Sequence, residues 1–214
     1  MVVSIKWLAH ASFQITAEGK IIYIDLGEYG ADSEKADLIL VTHSHTDHCD
    51  PQKIGRLRKD GTVIIAPADC ASKIGVNVKT LKPGEEATVG NVRVRAVHAY
   101  NTERFRSPGN PFHPKGNGVG YLITAGGKTI YHAGDTDFIP EMREVGPVDV
   151  ALLPSGDTYT MNNAEAAEAA VAINPKIAVP MHRLSTDPED FRKRVEGRST
   201  IKVVVLQEGE EIKL

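Results

Sequence analysis

Apolar residues recur along this chain mostly with a period of two or in short unbroken runs, the signature of strands rather than long helices. Residues 2–8, 12–16 and 20–26 alternate or run apolar around Glu18-Gly19, which predicts antiparallel strands joined by a tight turn. Residues 38–41 (LILV) and 63–66 (VIIA) are apolar runs bounded by polar residues, as in buried strands. Residues 91–98 alternate Val92, Val94 and Ala96 with Arg93, Arg95 and Val97, which suits a half-exposed strand. Helices are predicted between the strands. Asp50-Pro51 supplies an N-cap and a first-turn proline for 52–59. Asn162 with Glu165 forms a capping-box pattern for 164–173, which Asn174-Pro175 ends. A last helix over 188–196 and a strand over 202–206 follow.

The chain repeats itself once. Residues 15–23 (ITAEGKIIY) and 123–131 (ITAGGKTIY) agree at seven of nine positions. ADLILVTHSH (36–45) has a counterpart in VDVALLPSGD (148–157), and TVIIAP (62–67) resembles KIAVPM (176–181). A duplicated strand–turn–strand unit, each copy followed by strand, loop and helix, accounts for that order. The expectation is one domain over 1–214, with internally similar halves of about 1–100 and 119–214. Two face-to-face sheets with helices on both outer faces give it an α/β (α+β) class and a four-layer αββα sandwich. Residues 101–118 hold three prolines and three glycines and read as a structureless joining loop, expected to cover a functional site.

Composition narrows the function. With 41% hydrophobic and 25% charged residues over 214 positions the chain is expected to fold, and a net charge of −3 does not advertise a nucleic-acid surface. No apolar run reaches the length of a membrane span, and MVVSIKWLAHASF lacks the features of a signal peptide. Two cysteines, Cys49 and Cys70, cannot form a disulfide framework, so a cytoplasmic location is expected.

The chemistry concentrates in the histidines. His43, His45 and His48 fall within six residues, with Asp47 among them, just after the apolar run 38–41. In an extended segment His43 and His45 project to one side, and a turn then presents Asp47 and His48. Imidazole nitrogens with a carboxylate suit zinc and other first-row divalent ions. A core has no use for so many imidazoles, each needing a partner when buried. His98, Asp135 and His182 stand at the ends of other predicted strands and extend the set to seven.

In this order, HxHxDH, His98, the GDT of Asp135 and the Met-His of His182 resemble the metallo-β-lactamase superfamily over essentially the whole chain. The resemblance implies an αββα sandwich with a dinuclear site along the sheet edges. It implies His43, His45 and His98 on one metal, Asp47, His48 and His182 on the other, and Asp135 between them. Aspartate at position 135 speaks against a true β-lactamase, since the well-known zinc lactamases carry a cysteine at the corresponding second-metal position. Trp7-Leu8-Ala9-His10-Ala11-Ser12-Phe13 and the segment 116–120 resemble a narrower branch of small metal-dependent hydrolases, near L-ascorbate 6-phosphate lactonase and N-acylphosphatidylethanolamine phospholipase D.

That resemblance implies a hydrolase with two divalent ions, zinc first and manganese or nickel as alternatives, cleaving a phosphodiester or lactone of a small anionic substrate with metal-bound hydroxide. Asp47 would orient the nucleophile or take its proton. His10 and His132 are candidates for protonating the leaving group, or else hydrogen-bonded core histidines. Asp25 is either a turn former or a residue orienting a ligand histidine. His113, Arg104, Arg106 and Tyr159 lie on expected rim loops and are candidates for substrate binding, although a solvated loop position is the commoner explanation of each taken singly. Cys49 reads as a small buried residue. The competing reading is an iron-dependent oxidoreductase resembling the persulfide dioxygenases. No nucleic-acid partner is expected, and a homo-oligomer is compatible with the sequence.

Overall fold

The computed structural model describes residues 2–30, 34–75 and 77–214. The chain opens with β1 (Ser4–Ala9), β2 (Ser12–Ala17) and β3 (Lys20–Ile24). The β2–β3 turn places Glu18 and Gly19 at φ 54° and 74°, the left-handed pair that a two-residue hairpin needs to match strand twist. β4 (Ala36–Leu40), α1 (Pro51–Leu57), β5 (Arg58–Ala66), α2 (Ala68–Ile74) and the short β6 (Lys79–Thr80) follow. After these come β7 (Glu86–Val89), β8 (Val92–His98) and a small hairpin of β9 (Phe105–Ser107) and β10 (Asn110–Pro111). The second copy of the repeat forms β11 (Val119–Ala125) and β12 (Lys128–His132), again with both turn residues, Gly126 and Gly127, at positive φ. β13 (Val150–Pro154), α3 (Asn163–Ile173), β14 (Ile177–Met181), α4 (Pro188–Glu196), β15 (Lys202–Val203) and β16 (Glu211–Lys213) complete the fold, with a 3-10 turn at Pro140–Glu144 before β13.

Two seven-stranded sheets result, in the orders β16-β1-β2-β3-β4-β5-β6 and β15-β14-β13-β12-β11-β8-β7. Strand alternation sorts the apolar residues into layers. Ile22, Ile24, Leu38 and Leu40 of the first sheet meet Tyr121, Ile123, Ile130 and Leu152 of the second in the central core. The intervening Tyr23 and Ile39 face α1 and α2. Tyr131, Ala151 and Leu153 face α3 and α4. The αββα sandwich expected from the pattern is therefore the observed one. The duplicated turns touch across the sandwich, where the amide of Gly126 donates to Glu18 Oε1 at 3.1 Å.

Three expectations change in detail. β7 and β8 join the second sheet, so the sheets divide before residue 86 rather than near 100. The 101–118 segment is not structureless, since it contains β9 and β10. The strand expected over 202–206 pairs only at Lys202 and Val203.

Candidate metal centre

Parallel strands β3, β4, β12, β13 and β14 all end at one edge of the sandwich, and their following loops converge there. After β4 the chain turns sharply: the amides of His48 and Cys49 both donate to His45 O, and Asp50 then caps α1 through bonds to the amides of Gln52 and Lys53. This turn aims His43, His45, Asp47 and His48 at a common region. It packs against β3's outgoing loop so closely that a Cβ on Gly27 would lie 1.7 Å from Asp47 O.

Three donor groups form. His43, His45 and His113 make one, His10, Asp47, His48 and His182 another, and His43, His48 and Asp135 a third that links them. His45 Nδ1 lies 3.0 Å from His43 Nε2 and 3.3 Å from His113 Nε2. Asp135 sits among the imidazoles. Its Oδ2 is 3.1 Å from His182 Nε2, 3.3 Å from His113 Nε2 and 3.9 Å from His43 Nε2, and its Oδ1 is 3.4 Å from His48 Nε2. Burial alone would push the Asp135 carboxyl up, but His182, His48 and His113 outweigh it and hold it well below the usual carboxylate range.

The donor set fits a resident divalent ion. His48 Nε2 and Asp135 Oδ1 are buried without a hydrogen-bond partner, although buried polar atoms are normally satisfied. Burial pushes His43 well below its ordinary value, leaving a neutral imidazole with a lone pair to give. The outer nitrogens are held in place. His48 Nδ1 donates to Asp25 Oδ2 at 2.8 Å, and the same carboxylate accepts from the Thr42 amide and hydroxyl at 2.7 Å each. Asn101 Oδ1 accepts from both the amide and Nδ1 of His113 at 2.8 Å. Such partners fix ring orientation and raise ligand basicity.

His98 is not brought into this cluster. It ends β8 opposite Val119, with its ring 6.2 Å from Tyr100 and Nδ1 buried without a partner. The chain runs on through the β9–β10 hairpin and returns at His113, which occupies the place expected of His98. His113 is therefore a member of the cluster and not only a rim residue.

The remaining candidates divide. His10 Nε2 pairs with Asp47 Oδ2 at 3.1 Å, and its ring lies 3.8 Å from that of His182, so His10 belongs to the site. His132 does not. It is fully buried, its Nε2 contacts Ala11 O and its Nδ1 accepts from the Gly134 amide, which leaves no nitrogen for a leaving group. Arg104 is bound by Asp137, Asp157 and Glu165 and is not a free anion receptor. Tyr159 is exposed at the mouth, edge-on to Phe112. Asp25 is fully buried in the hydrogen bonds above, and Cys49 is buried as a free thiol.

Asn101 and Asp137 escaped the sequence reading. Asp137 Oδ2 accepts from the amides of Thr102 and Glu103, while Oδ1 accepts from Asn101 Nδ2 and Arg104, so it shapes the turn that delivers His113. The only local signal was a second aspartate two positions after Asp135. Among the described residues no helix is long and apolar enough to cross a membrane.

Comparison with known proteins agrees with this geometry. A model of the β-lactamase superfamily domain matches residues 4–182. A UPF0173 metal-dependent hydrolase of Pyrococcus abyssi is 37% identical over 99% of this chain and its own full length. A putative metal-dependent hydrolase of Parabacteroides distasonis superposes with a TM-score of 0.89 at 36% identity, covering 95% of this chain and 92% of that one. Igni18, a metallo hydrolase of Ignicoccus hospitalis, superposes with a TM-score of 0.82 at 26% identity, covering 100% and 99%. With its fold, its histidine-rich strand ends and these full-length relatives in agreement, the chain belongs to the UPF0173 metal-dependent hydrolases of the metallo-β-lactamase superfamily.

Proposed function

We propose that the protein hydrolyses an ester-type bond, a phosphodiester or lactone, of a small anionic substrate with two divalent ions bound. The observation that carries this reading is Asp135, whose two oxygens face His43, His113 and His182 on one side and His48 on the other. His43, His45 and His113 would hold one ion, and Asp47, His48 and His182 the other, with Asp135 shared. Zinc suits this nitrogen-rich set best, and manganese or nickel would be accepted by it. Bound there, divalent ions supply a Lewis acid and bring the pKa of water toward neutrality.

The chain's own groups supply the rest. Asp47 is part-exposed at the mouth, where it can orient an attacking water or take its proton. Burial raises its pKa, yet the hydrogen bond from His10 and the charge of His48 outweigh burial and leave it at about 2, so it is ionised at neutral pH. His10 is the group placed to hand a proton to the departing oxygen, because its Nε2 already shares the Asp47 carboxylate. Burial lowers the His10 pKa, and the hydrogen bond to the Asp47 carboxylate opposes that shift.

Elemental analysis after gentle loading, combined with turnover of phosphodiester, lactone and thioester panels, tests this reading. Two zinc, manganese or nickel ions per chain with ester hydrolysis are expected. At most one ion per chain, or iron with oxygen consumption and no hydrolysis, would overturn it in favour of redox chemistry.

A further inference from the structure

Two clefts share Asp47 and His182 in their linings, and they differ in character. One, of about 470 Å³, is lined by Lys73, Arg106 and Phe112 as it approaches His45, Asp135 and His182. The other, of about 410 Å³, is lined by Trp7, Tyr29, Leu184 and Arg183. Asp47, Tyr159 and His182 border both. Both volumes fall within the range of small-molecule sites.

The first cleft holds uncommitted positive charge. Arg104, close in sequence, is bound by three carboxylates, but Arg106 and Lys73 have no carboxylate partner among the described residues. Arg106 reaches His45 Nε2 at 3.3 Å and lies 5.0 Å over the Phe112 ring. Lys73 donates to Ser44 O beside the ligand histidines. Cations kept from carboxylates at the mouth of a cleft are placed to receive an anion.

The second cleft is built to expose apolar surface. Tyr29, Tyr159 and Leu184 are three of the five large hydrophobic side chains exposed among the described residues. Leu184 is 51% exposed and sits at φ +50°, a conformation costly for a residue other than glycine. Its cationic neighbour is already engaged, with the Arg183 guanidinium 4.2 Å over Trp7 and donating to Leu206 O. Strain that presents a leucine to solvent beside a reactive centre has a purpose if an apolar group covers it.

We propose that the substrate is two-ended. An anionic group, carboxylate or phosphate, lies under Arg106 and Lys73, an aromatic or alkyl group packs on Tyr29 and Leu184 beside Trp7, and the bond to be cut spans Asp47 and His182. This rests on the hydrolytic reading above for the last clause only, because the two recognition arms are testable by binding alone. Trp7 is the sole tryptophan of the chain, so its fluorescence reports occupancy of the apolar cleft.

The test titrates metal-loaded protein with three uncleaved amides: N-phenylsuccinamate, which carries both ends, N-phenylbutyramide, which lacks the anion, and succinamate, which lacks the ring. N-phenylsuccinamate should bind most tightly. The double variant Arg106→Ala/Lys73→Ala should erase the advantage of the carboxylate, about fivefold for an exposed charge pair. Leu184→Asp should erase about tenfold of the advantage of the ring, as expected for part of an apolar side chain returned to water. A carboxylate advantage that survives Arg106→Ala/Lys73→Ala would place the anion on the metal ions and overturn the proposal. So would equal binding of the three amides. Absence of ester hydrolysis alongside the expected binding pattern would instead sink only the hydrolytic reading.

Discussion

Replacing Asp25 by asparagine changes one atom pair, yet the geometry around it leaves the amide no good orientation. Asp25 Oδ1 accepts from the Thr42 amide, and Oδ2 accepts from Thr42 Oγ1 and His48 Nδ1, in a fully buried environment. With the amide NH2 at the Oδ1 place, two donors face each other across the Thr42 bond. With the NH2 at the Oδ2 place, it faces His48 Nδ1 and drives the imidazole proton to Nε2, the nitrogen needed for metal. Either orientation forfeits at least one charge-assisted buried bond, about 1.5–3 kcal/mol. For a chain of this size that lowers Tm by roughly 3–12 °C, read by scanning calorimetry with chelator present. Metal affinity should fall 10- to 100-fold, as for loss of a residue that orients a ligand, which is roughly 1.4–2.7 kcal/mol. Competition against a fluorescent chelator measures it. An Asp25→Asn protein with both the metal affinity and the Tm of the parent would refute the claim that Asp25 sets the His48 tautomer.

Four further outcomes are expected. His113→Ala should lower metal stoichiometry in elemental analysis while His98→Ala leaves it intact; the reverse result would restore His98 to the ligand set. Asp47→Asn should lose roughly 100- to 10,000-fold in kcat that excess metal does not restore, whereas metal should rescue part of the His182→Ala activity, and full rescue of the former would make Asp47 a ligand only. Gly27→Ala should cost about 1–3 kcal/mol and depress metal affinity with it, because the added methyl meets the Asp47 carbonyl; chemical denaturation of the metal-free protein decides this. Burial would lower the His48 pKa, but Asp135 and Asp25 outweigh it and raise it well above its ordinary value, so metal must displace a proton there; loading at pH 7 should release about one proton and affinity should weaken as pH falls, and metal uptake with no proton release in a pH-stat would contradict it.

Much of this centre was legible because it is local. His43, His45, Asp47 and His48 are contiguous, and Asp135 and His182 follow apolar runs that could only be buried strands. His98 misled for the same reason: the alternation of β8 is so regular that its last residue looks like the point of delivery. What places His113 there instead is a hairpin of only two residue pairs and the bonds of Asn101 and Asp137, none of which has periodicity to read. Arg104 and Arg106 are alike in sequence, and only Asp157 and Glu165, brought close by the fold, commit the first and leave the second open. Elements such as β6, β7 and the 3-10 turn are too short to show a pattern. The repeat, by contrast, announced both hairpins, since each turn needs two consecutive residues in the left-handed region.

The pairing of β16 with β1 bears on how the molecule is made. Ser4 hydrogen-bonds Glu211, 207 positions away, and among the described residues the outer edge of β1 is paired only with that late strand. A chain emerging from the ribosome therefore carries an open sheet edge through nearly all of its synthesis, and an uncovered edge invites pairing with other chains. The donors of the proposed centre emerge in the same staggered way. The His43–His48 turn is out early, His113 and Asp135 follow, and His182 comes only after most of the second sheet. An ion captured by the first four donors would be held in an incomplete shell until the rest arrive, so assembly of the centre and closure of the sheet both wait on the final stretch of translation.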